Sequence, residues 1–262
     1  MMLIPDKTIQ DSIVYIQQNL DKDLTLTSLA KQAAYSPYHF SRMFKGQVGV
    51  SPIYFISSLR LQLAKKLLLD TSFPIRDIGL EIGQQSLGTF STRFTKSIGM
   101  TPASFRSSVQ HPERYMTDLK QGKWQHRQIN AYSERQVSGT IQTSQAFHGI
   151  IFVGLFPKPI PEGLPIRGTL LTQTDYFQIT NIPVGTYFIM ATAVSWETNA
   201  ESILIPHETL RARHLEPICI DKKLPVPDIH LIMRKPEITD PPILISLPLL
   251  MKHFLQRSSI SH

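Results

Sequence analysis

The feature that most constrains the fold is an internal repeat with an offset of fifty residues. When Ser36 is set over Ser86, a series of identical residues falls into register: Phe40 with Phe90, Ser41 with Ser91, Phe44 with Phe94, Gly49 with Gly99, Pro52 with Pro102 and Phe55 with Phe105. Upstream the register slips by one residue, so that Leu29-Ala30 matches Ile78-Gly79. Two copies of one small unit within residues 1–110 predict a bipartite domain.

Each copy has the pattern of a helix-turn-helix. In the first copy we expect one helix over 27–34 with Thr27 as N-cap, and a second over 36–48 with Ser36 as N-cap. Residues 51–69 predict a long helix that joins the copies, with basic residues on its outer face: Arg60, Lys65 and Lys66. A helix-turn-helix can place one helix in the major groove of DNA, so the repeat suggests two contacts with one duplex.

The charge distribution agrees with a polyanionic partner. The net charge is +7, and residues 1–110 carry 12 basic against 7 acidic side chains. Residues 111–262 carry 15 basic against 13 acidic side chains, so most of the excess lies with the repeat. Proline is distributed the other way, with 5 of 19 before residue 111. Because proline interrupts helices, the first part should be helical and the second strand-rich.

The single cysteine excludes an intrachain disulfide, which fits a reducing compartment. We expect Cys219 to be a buried thiol in a strand. The N-terminal residues lack the pattern of a signal peptide, and no apolar run has the length of a membrane span. These observations predict a cytoplasmic protein without a membrane partner.

The second half has short runs of β-branched and aromatic residues between glycines and prolines. These predict strands over 137–141, 150–156, 176–180, 186–194, 217–221, 229–233 and 243–247. The predicted fold is therefore multidomain: an all-α double helix-turn-helix domain followed by an all-β sandwich domain. We place the domains at 1–110 and 136–248, with a connector at 111–135 and a tail at 249–262 that includes a short helix.

Several spaced motifs of the first half also occur together in one known family. They are Leu29-Ala30, Ser36, the run His39-Phe40-Ser41-Arg42-Met43-Phe44-Lys45, Gly49-Val50-Ser51-Pro52, Arg60-Leu61, Ala64, Leu67-Leu68, Ile75, Ile78, Phe90-Ser91, Phe94, Gly99-Met100-Thr101-Pro102 and Phe105-Arg106. By these residues the first 106 positions resemble the AraC/XylS family of bacterial transcription regulators. The resemblance implies a seven-helix domain whose two recognition helices enter successive major-groove segments, roughly 34 Å apart.

The resemblance also assigns residues to base contacts by their motif positions. Those of the first recognition helix are Tyr38, Ser41 and Arg42, and those of the second are Gly88, Thr89 and Thr92. Arg42 is the strongest of these candidates, because a guanidinium matches the two major-groove acceptors of guanine. The sequence departs from the family at Gly83-Gln84, where Gly-Phe is usual, and at Thr92 and Thr95, where basic residues are usual.

Phosphate contacts are expected mainly from basic side chains near the recognition helices. The candidates are Ser36, Lys45, Lys65, Lys66, Arg76, Ser86, Arg93 and Lys96. Because the second copy has threonines where the family has basic residues, we expect it to depend more on backbone contacts. Lys96 and the helix N-terminus at Ser86 would then hold a phosphate.

The second half resembles transthyretin-like sandwiches of the carboxypeptidase-regulatory type. The residues that carry this resemblance are Val137-Ser138-Gly139-Thr140, Gly149-Ile150-Ile151-Phe152-Val153 and the turn Ile182-Pro183-Val184-Gly185-Thr186-Tyr187. An effector domain of the gyrase-inhibitor type is the alternative for the same turn. A carbohydrate-binding or protein-binding module is a further alternative.

The interpretation that follows is a sequence-specific DNA-binding transcription regulator, here taken as an activator. Its partners would be double-stranded DNA, RNA polymerase and a small-molecule effector at the C-terminal domain. We expect no cofactor, no metal and no enzymatic activity: Cys219 lacks the Pro-Cys-His context of methyl-accepting repair regulators, and His207, Glu208 and His214 lack zinc-ligand spacing. An enzyme delivered to DNA by the first domain is the alternative from a different class.

Overall fold

The chain divides into two compact units. The computed structural model describes residues 6–84, 86–108, 112–121, 135–221, 226 and 228–259. The helical unit comprises Met1–Ser107 together with Glu237–Leu244, and the strand-rich unit comprises Ser108–Pro236 and Ile245–His262. The first boundary lies close to the predicted end of the first domain at residue 110, but the return of a late segment to the helical unit is not encoded in any local pattern.

The helical unit has seven helices among its described residues, the number that the resemblance implies. They are α1 (Lys7–Gln18), α2 (Leu26–Gln32), α3 (Pro37–Val48), α4 (Pro52–Asp70), α5 (Ile75–Glu81), α6 (Leu87–Ile98) and α7 (Pro102–Ser107). Helices α2 and α3 form the first copy of the repeat, α5 and α6 form the second, and α4 joins them. The predicted double helix-turn-helix is therefore confirmed.

Serine caps fix the N-termini of three of these helices. The hydroxyls of Ser36, Ser51 and Ser86 each accept a hydrogen bond from the backbone N–H three residues later. The predicted N-cap of α2 is wrong by two residues, because Thr25 occupies that position instead of Thr27. Thr25 and Ser28 form a reciprocal capping box, which satisfies two backbone N–H groups at once and so favours the earlier start.

The described residues of the strand-rich unit form two sheets. Its strands are β1 (Val137–Thr143), β2 (Gly149–Phe156), β3 (Arg167–Leu171), β4 (Tyr176–Ile179), β5 (Gly185–Ser195), β6 (Arg211–Arg213), β7 (Ile218–Ile220) and β8 (Ile229–Met233). One sheet has the order β4-β1-β8, in which β1 and β8 are parallel. The other has the order β3-β2-β5-β6, and β7 also pairs with β5.

Two hydrophobic clusters hold this unit together. The larger one joins side chains of both sheets, including Val137, Phe177 and Ile229 from the first and Ile151 and Ile189 from the second. The smaller one lies on the other face of β2 and includes residues of three helices: α8 (Pro112–Lys120), α9 (Ala200–Leu204) and α10 (Leu247–Ser259). Because both faces of β2 are covered, all eight of its residues are buried.

Six of the seven predicted strands are present with small shifts at their ends. The seventh, over 243–247, is wrong: Ile243 and Leu244 belong to the helical unit, and α10 begins at Leu247. Strands β3 and β6 and helices α8 and α9 were not specifically predicted. Of the connector expected at 111–135, residues 111 and 122–134 lie outside the described residues. Within the described part of the chain, no helix is long and apolar enough to span a membrane.

Candidate nucleic-acid interface

Helix α3 has one buried face and one exposed face. Phe40, Phe44 and Val48 are buried, at the spacing of one side of a helix. The opposite face exposes the predicted residues Tyr38, Arg42 and Lys45, and Tyr38 is 77% exposed. Ser41 lies at the border and is half-buried. The packing therefore orients α3 so that its predicted contact residues remain accessible.

Helix α6 repeats this arrangement fifty residues later. Phe90, Phe94 and Ile98 are buried, and the exposed surface carries the predicted residues Gly88, Thr89, Thr92, Arg93 and Lys96. An aromatic group supports each helix from behind. The ring of Phe44 lies 5.8 Å from Phe40 and 5.5 Å from Phe55, and that of Phe94 lies 5.7 Å from Phe90 and 5.8 Å from Phe105. Helices α3 and α6 are thus fixed by the same packing.

The turns that precede the two helices have matching backbone conformations. Ala34 and Gly83, which are equivalent in the slipped register, have φ of 57° and 73°. In both turns the backbone N–H of the following residue donates a hydrogen bond to the carbonyl five residues earlier, which is a common way to end a helix. Tyr35 donates to Ala30 at 2.9 Å, and Gln84 donates to Gly79 at 2.8 Å. The left-handed region suits glycine and strains alanine.

We therefore expect Ala34→Gly to raise the free energy of unfolding by about 1 kcal/mol or less, because relief of backbone strain exceeds the added flexibility of the unfolded chain. Gly83→Ala provides the matched opposite case and should be destabilising. Urea unfolding of the full chain, followed by helical circular dichroism, measures both changes. A loss of stability in Ala34→Gly would contradict the described turn.

Most of the predicted phosphate-binding residues are exposed, and one is not. Lys45, Lys66, Arg76, Arg93 and Lys96 have exposed side chains. Lys65 is fully buried, with its Nζ 3.5 Å from the carbonyl oxygen of Leu244 and 5.6 Å from the centre of the Phe105 ring. Burial lowers the pKa of its ammonium to about 7. Its placement on the outer face of α4 is therefore corrected, and its ammonium is not available to a phosphate in this structure.

The two serine candidates are exposed, and each also caps the N-terminus of a helix. Ser36 accepts from the His39 N–H at 3.3 Å, and Ser86 accepts from the Thr89 N–H at 3.4 Å. Both residues are exposed, so each hydroxyl stands beside the first turn of a recognition helix. A phosphate oxygen at this place would meet a helix N-terminus, which favours anions.

Basic residues take different registers in the two copies. Helix α3 carries Arg42 and Lys45, whereas α6 carries Arg93 and Lys96. Under the fifty-residue offset, Arg93 and Lys96 replace Met43 and Gly46, one residue after the basic positions of α3. One residue corresponds to a rotation of roughly 100° around a helix with 3.6 residues per turn. The positive charge of α6 is therefore displaced to the side of the Thr89 and Thr92 surface.

Two arginines that were not predicted as functional residues fix the segments before each copy. The Arg60 guanidinium donates to the carbonyls of Leu20 and Lys22, at 2.9 and 2.6 Å. The Arg106 guanidinium donates to the carbonyls of Leu68 and Phe73, at 3.3 and 2.6 Å. Arg60 was expected on the outer face of α4, and only its contacts across about forty residues reveal its role. The repeat does not reveal the two arginines, because under the fifty-residue offset Arg60 aligns with Gln110 and Arg106 aligns with Ile56.

The candidate residues of the strand-rich unit do not come together in one site. Cys219 is exposed on β7, so the expectation of a buried thiol is wrong; the side chains alternate along this strand, and its neighbours Ile218 and Ile220 take the buried positions. His207 lies 3.8 Å from Glu208, and His214 contacts the backbone carbonyl of Glu216. Among the described residues no group of three or more His, Cys, Asp or Glu side chains is arranged to hold a metal ion.

Comparison with known proteins locates the similarity in the helical unit. A family model described as a helix-turn-helix domain matches residues 29–108. The chain is 39% identical over 113 residues to the bifunctional transcriptional activator/DNA repair enzyme AdaA of Bacillus subtilis, which covers 43% of this chain and 54% of AdaA. It is 35% identical over 100 residues to the regulatory protein SoxS of Escherichia coli, which covers 38% of this chain and 94% of SoxS.

Other matches cover a similar share of this chain. The right origin-binding protein of Escherichia coli is 36% identical over 100 residues, which covers 38% of this chain and 35% of that protein. Among solved structures, the C-terminal domain of AraT, a response regulator from Geobacillus stearothermophilus, is 34% identical with a TM-score of 0.39, and covers 40% of this chain and 87% of that chain. The chain thus spans about half the length of AdaA and about a third of the origin-binding protein.

Proposed function

The chain belongs to the AraC/XylS family of transcription regulators, and from this membership we propose that it is a sequence-specific DNA-binding regulator. In this proposal α3 and α6 enter two successive major-groove segments of one duplex. The observation that carries it is that the two copies bury equivalent aromatic faces and expose equivalent surfaces. Because one chain contains both helices, a monomer suffices for binding.

The proposed base contacts lie on these exposed surfaces. From α3, Arg42 donates to the two acceptors of a guanine, and Tyr38 and Ser41 contact neighbouring bases. From α6, Thr89 and Thr92 contact base edges. The surface at Gly88 is open, because a Cβ there would have only the Ser86 hydroxyl, at 3.9 Å, within 4 Å, and the missing side chain allows the DNA to approach the helix closely. The α3 contacts carry more charge, so the first copy contributes more of the base discrimination.

The proposed phosphate contacts position the unit on the duplex. They involve Lys45, Lys66, Arg76, Arg93 and Lys96, together with the hydroxyls of Ser36 and Ser86 beside the helix N-termini. The displaced charge of α6 supports a second copy that depends more on the DNA backbone. Lys65 is left out of this set because its ammonium is buried.

We expect Arg42→Ala to weaken binding to the cognate duplex by about 1–3 kcal/mol and to relax the preference at one base position. Lys45→Ala on the same helix is the matched comparison. It should weaken binding about equally on all sequences and reduce the slope of log K against log salt by about one. Titrations on cognate and scrambled duplexes at several salt concentrations measure both effects. An equal loss for Arg42→Ala on both duplexes would show that Arg42 contacts phosphate instead of a base.

Selection from a randomised duplex library with the full chain tests the proposed function. Two short conserved blocks, about one helical turn apart, are the expected result. A single block would restrict base contacts to one copy, and no enrichment would contradict the proposal. Transcription with purified RNA polymerase from a template carrying the selected site then tests the proposed activation, because a repressor would lower the transcript instead.

The strand-rich unit is proposed as the regulatory part, which binds a small-molecule effector or a protein partner. Its support is that it has hydrophobic clusters of its own, separate from the seven helices. We further propose that the chain is not an enzyme and acts in the cytoplasm, where the chromosome is accessible. Cys219 stands between two isoleucines and not in the Pro-Cys-His context of methyl-accepting regulators. Transfer of a methyl group from methylated DNA to Cys219, detected by mass spectrometry, would contradict the non-enzymatic assignment.

A further inference from the structure

We propose that Arg60 sets the geometry between the two helix-turn-helix copies, and so determines which spacing of the two DNA segments the chain accepts. The inference rests on the proposed function. Arg60 lies on α4, the helix that joins the copies. Its guanidinium contacts the backbone that leads into the first copy and also lies against the turn of the second copy.

The contacts with the segment that leads into the first copy are two hydrogen bonds. Arg60 Nε donates to the Leu20 carbonyl at 2.9 Å, and Nη2 donates to the Lys22 carbonyl at 2.6 Å. Both acceptors lie between α1 and α2, in the segment that leads into the first helix-turn-helix. Bonds from a charged donor to backbone carbonyls are among the stronger ones in proteins, so this segment is held firmly against α4.

The contact with the second copy is at Gly83, the turn residue between α5 and α6. A Cβ at Gly83 would lie 2.9 Å from Arg60 Nη2, 3.1 Å from Cζ and 3.3 Å from the Leu20 carbonyl oxygen. The absence of a side chain therefore lets the second turn lie directly against the guanidinium and against the carbonyl to which it donates. One side chain thus joins the entry of the first copy to the turn of the second.

The charges around Arg60 come from the segment before the first copy and from the second copy. Burial lowers the pKa of the guanidinium, Asp23 and Asp21 of the segment between α1 and α2 oppose this change, and Arg93 of α6 adds to it. An arginine remains charged under such conditions, so its hydrogen bonds persist. A lysine would retain the charge but could not form the same two-point contact.

The geometry between the copies matters because each base pair added between two DNA segments moves them roughly 3.4 Å apart and rotates them around the helix axis by about a tenth of a turn. A pair of recognition helices held at one distance and angle accepts one spacing. If the Arg60 contacts are removed, one connection between the copies besides α4 is lost, and small rotations between them become easier. Loss of the contacts should therefore appear as tolerance of altered spacing.

Arg106 provides a matched control. It forms the same kind of paired bonds, from Nε to the Leu68 carbonyl at 3.3 Å and from Nη2 to the Phe73 carbonyl at 2.6 Å. Both acceptors lie at the end of α4 and in the segment that leads into the second copy. Arg106→Ala therefore removes an equivalent pair of hydrogen bonds to that segment. Arg60→Ala removes the pair whose guanidinium also lies against the turn of the second copy.

The experiment measures the affinity of the full chain for a set of duplexes. The duplex selected from the randomised library is remade with one or two base pairs added or removed between its two blocks. The wild-type chain should lose about tenfold or more for each such change, similar to the cost of a mismatched base pair. Arg60→Ala should bind the original duplex more weakly, but should differ by only about threefold across the set. Arg106→Ala should retain the wild-type preference.

The outcomes separate the two proposals. If the wild-type chain enriches no sequence, the proposed function fails, and if it enriches a single block, the role of Arg60 fails because there is no spacing to set. If it enriches two blocks, and Arg60→Ala retains the wild-type spacing preference, the role of Arg60 fails. Equal relaxation in Arg60→Ala and Arg106→Ala would also overturn it, because general loosening would then explain the effect. Should Arg60→Ala fail to fold, Arg60→Lys is measured on the same duplexes, with the same expected relaxation.

Discussion

Phe94→Ala should lower the free energy of unfolding of the helical unit by about 3–5 kcal/mol. The side chain is fully buried, and its ring lies edge-on to Phe90 at 5.7 Å and to Phe105 at 5.8 Å. Truncation removes the apolar surface, leaves a cavity and breaks two aromatic contacts. Because this group supports α6 from behind, the second recognition helix should lose its orientation together with its stability.

Leu87→Ala on the same helix is the matched control for this prediction. Leu87 is 47% exposed, so its truncation should cost about 0.5 kcal/mol or less. Urea unfolding of the full chain gives the overall change, and hydrogen exchange of α6 amides locates it. Similar losses for the two variants would mean that the face of α6 with Phe94 is not the packed one.

Lys65→Met should have the opposite effect and raise the stability of the helical unit by about 1–4 kcal/mol at pH 7. The Lys65 ammonium is removed from water, and in its place it contacts the Leu244 carbonyl and the Phe105 ring. Methionine has a similar length and shape without a charge to desolvate. The cost of burying the ammonium is visible in its pKa, which burial lowers to about 7 from an ordinary value of 10.5.

The same shift predicts how stability changes with pH. Between about pH 7 and pH 10.5 the unfolded chain keeps the Lys65 proton while the folded chain has released it. Stability should therefore rise with pH across this interval, by up to about 1.4 kcal/mol per pH unit, and the full penalty should apply below it. Unfolding by urea at a series of pH values measures the slope. Lys65→Met should remove this slope, whereas Lys66→Met, at the exposed neighbouring position, should leave it unchanged.

The sequence was sufficient to predict the two recognition helices. Ser36 and Ser86 as caps, and phenylalanines at i and i+4 as the buried face, are local patterns whose physical causes act within one helix. The exposed positions of Tyr38, Arg42 and Thr92 follow from the same periodicity. These predictions depend on neighbours along the chain, so no knowledge of the rest of the fold was needed.

Apart from the N-cap of α2 and the exposure of Cys219, the predictions that failed depend on contacts between distant residues. Lys65 is a lysine on a long helix, and only the approach of Leu244 and the ring of Phe105 explains why it is buried. Arg60 lies only five residues earlier, and its partners at Leu20 and Gly83 are also outside its own helix. Residues 243–247 have the composition of a strand, but the segment pairs with no strand in the described part of the chain and is divided between the helical unit and the strand-rich unit.

The division of the helical unit along the chain has a consequence for synthesis. The ribosome releases all seven helices before it has translated Glu237–Leu244, the segment that completes this unit. The Leu244 carbonyl therefore reaches Lys65 only after nearly the whole strand-rich unit has been made. A nascent chain can form its recognition helices early, but α4 acquires its final environment only when translation has passed residue 244.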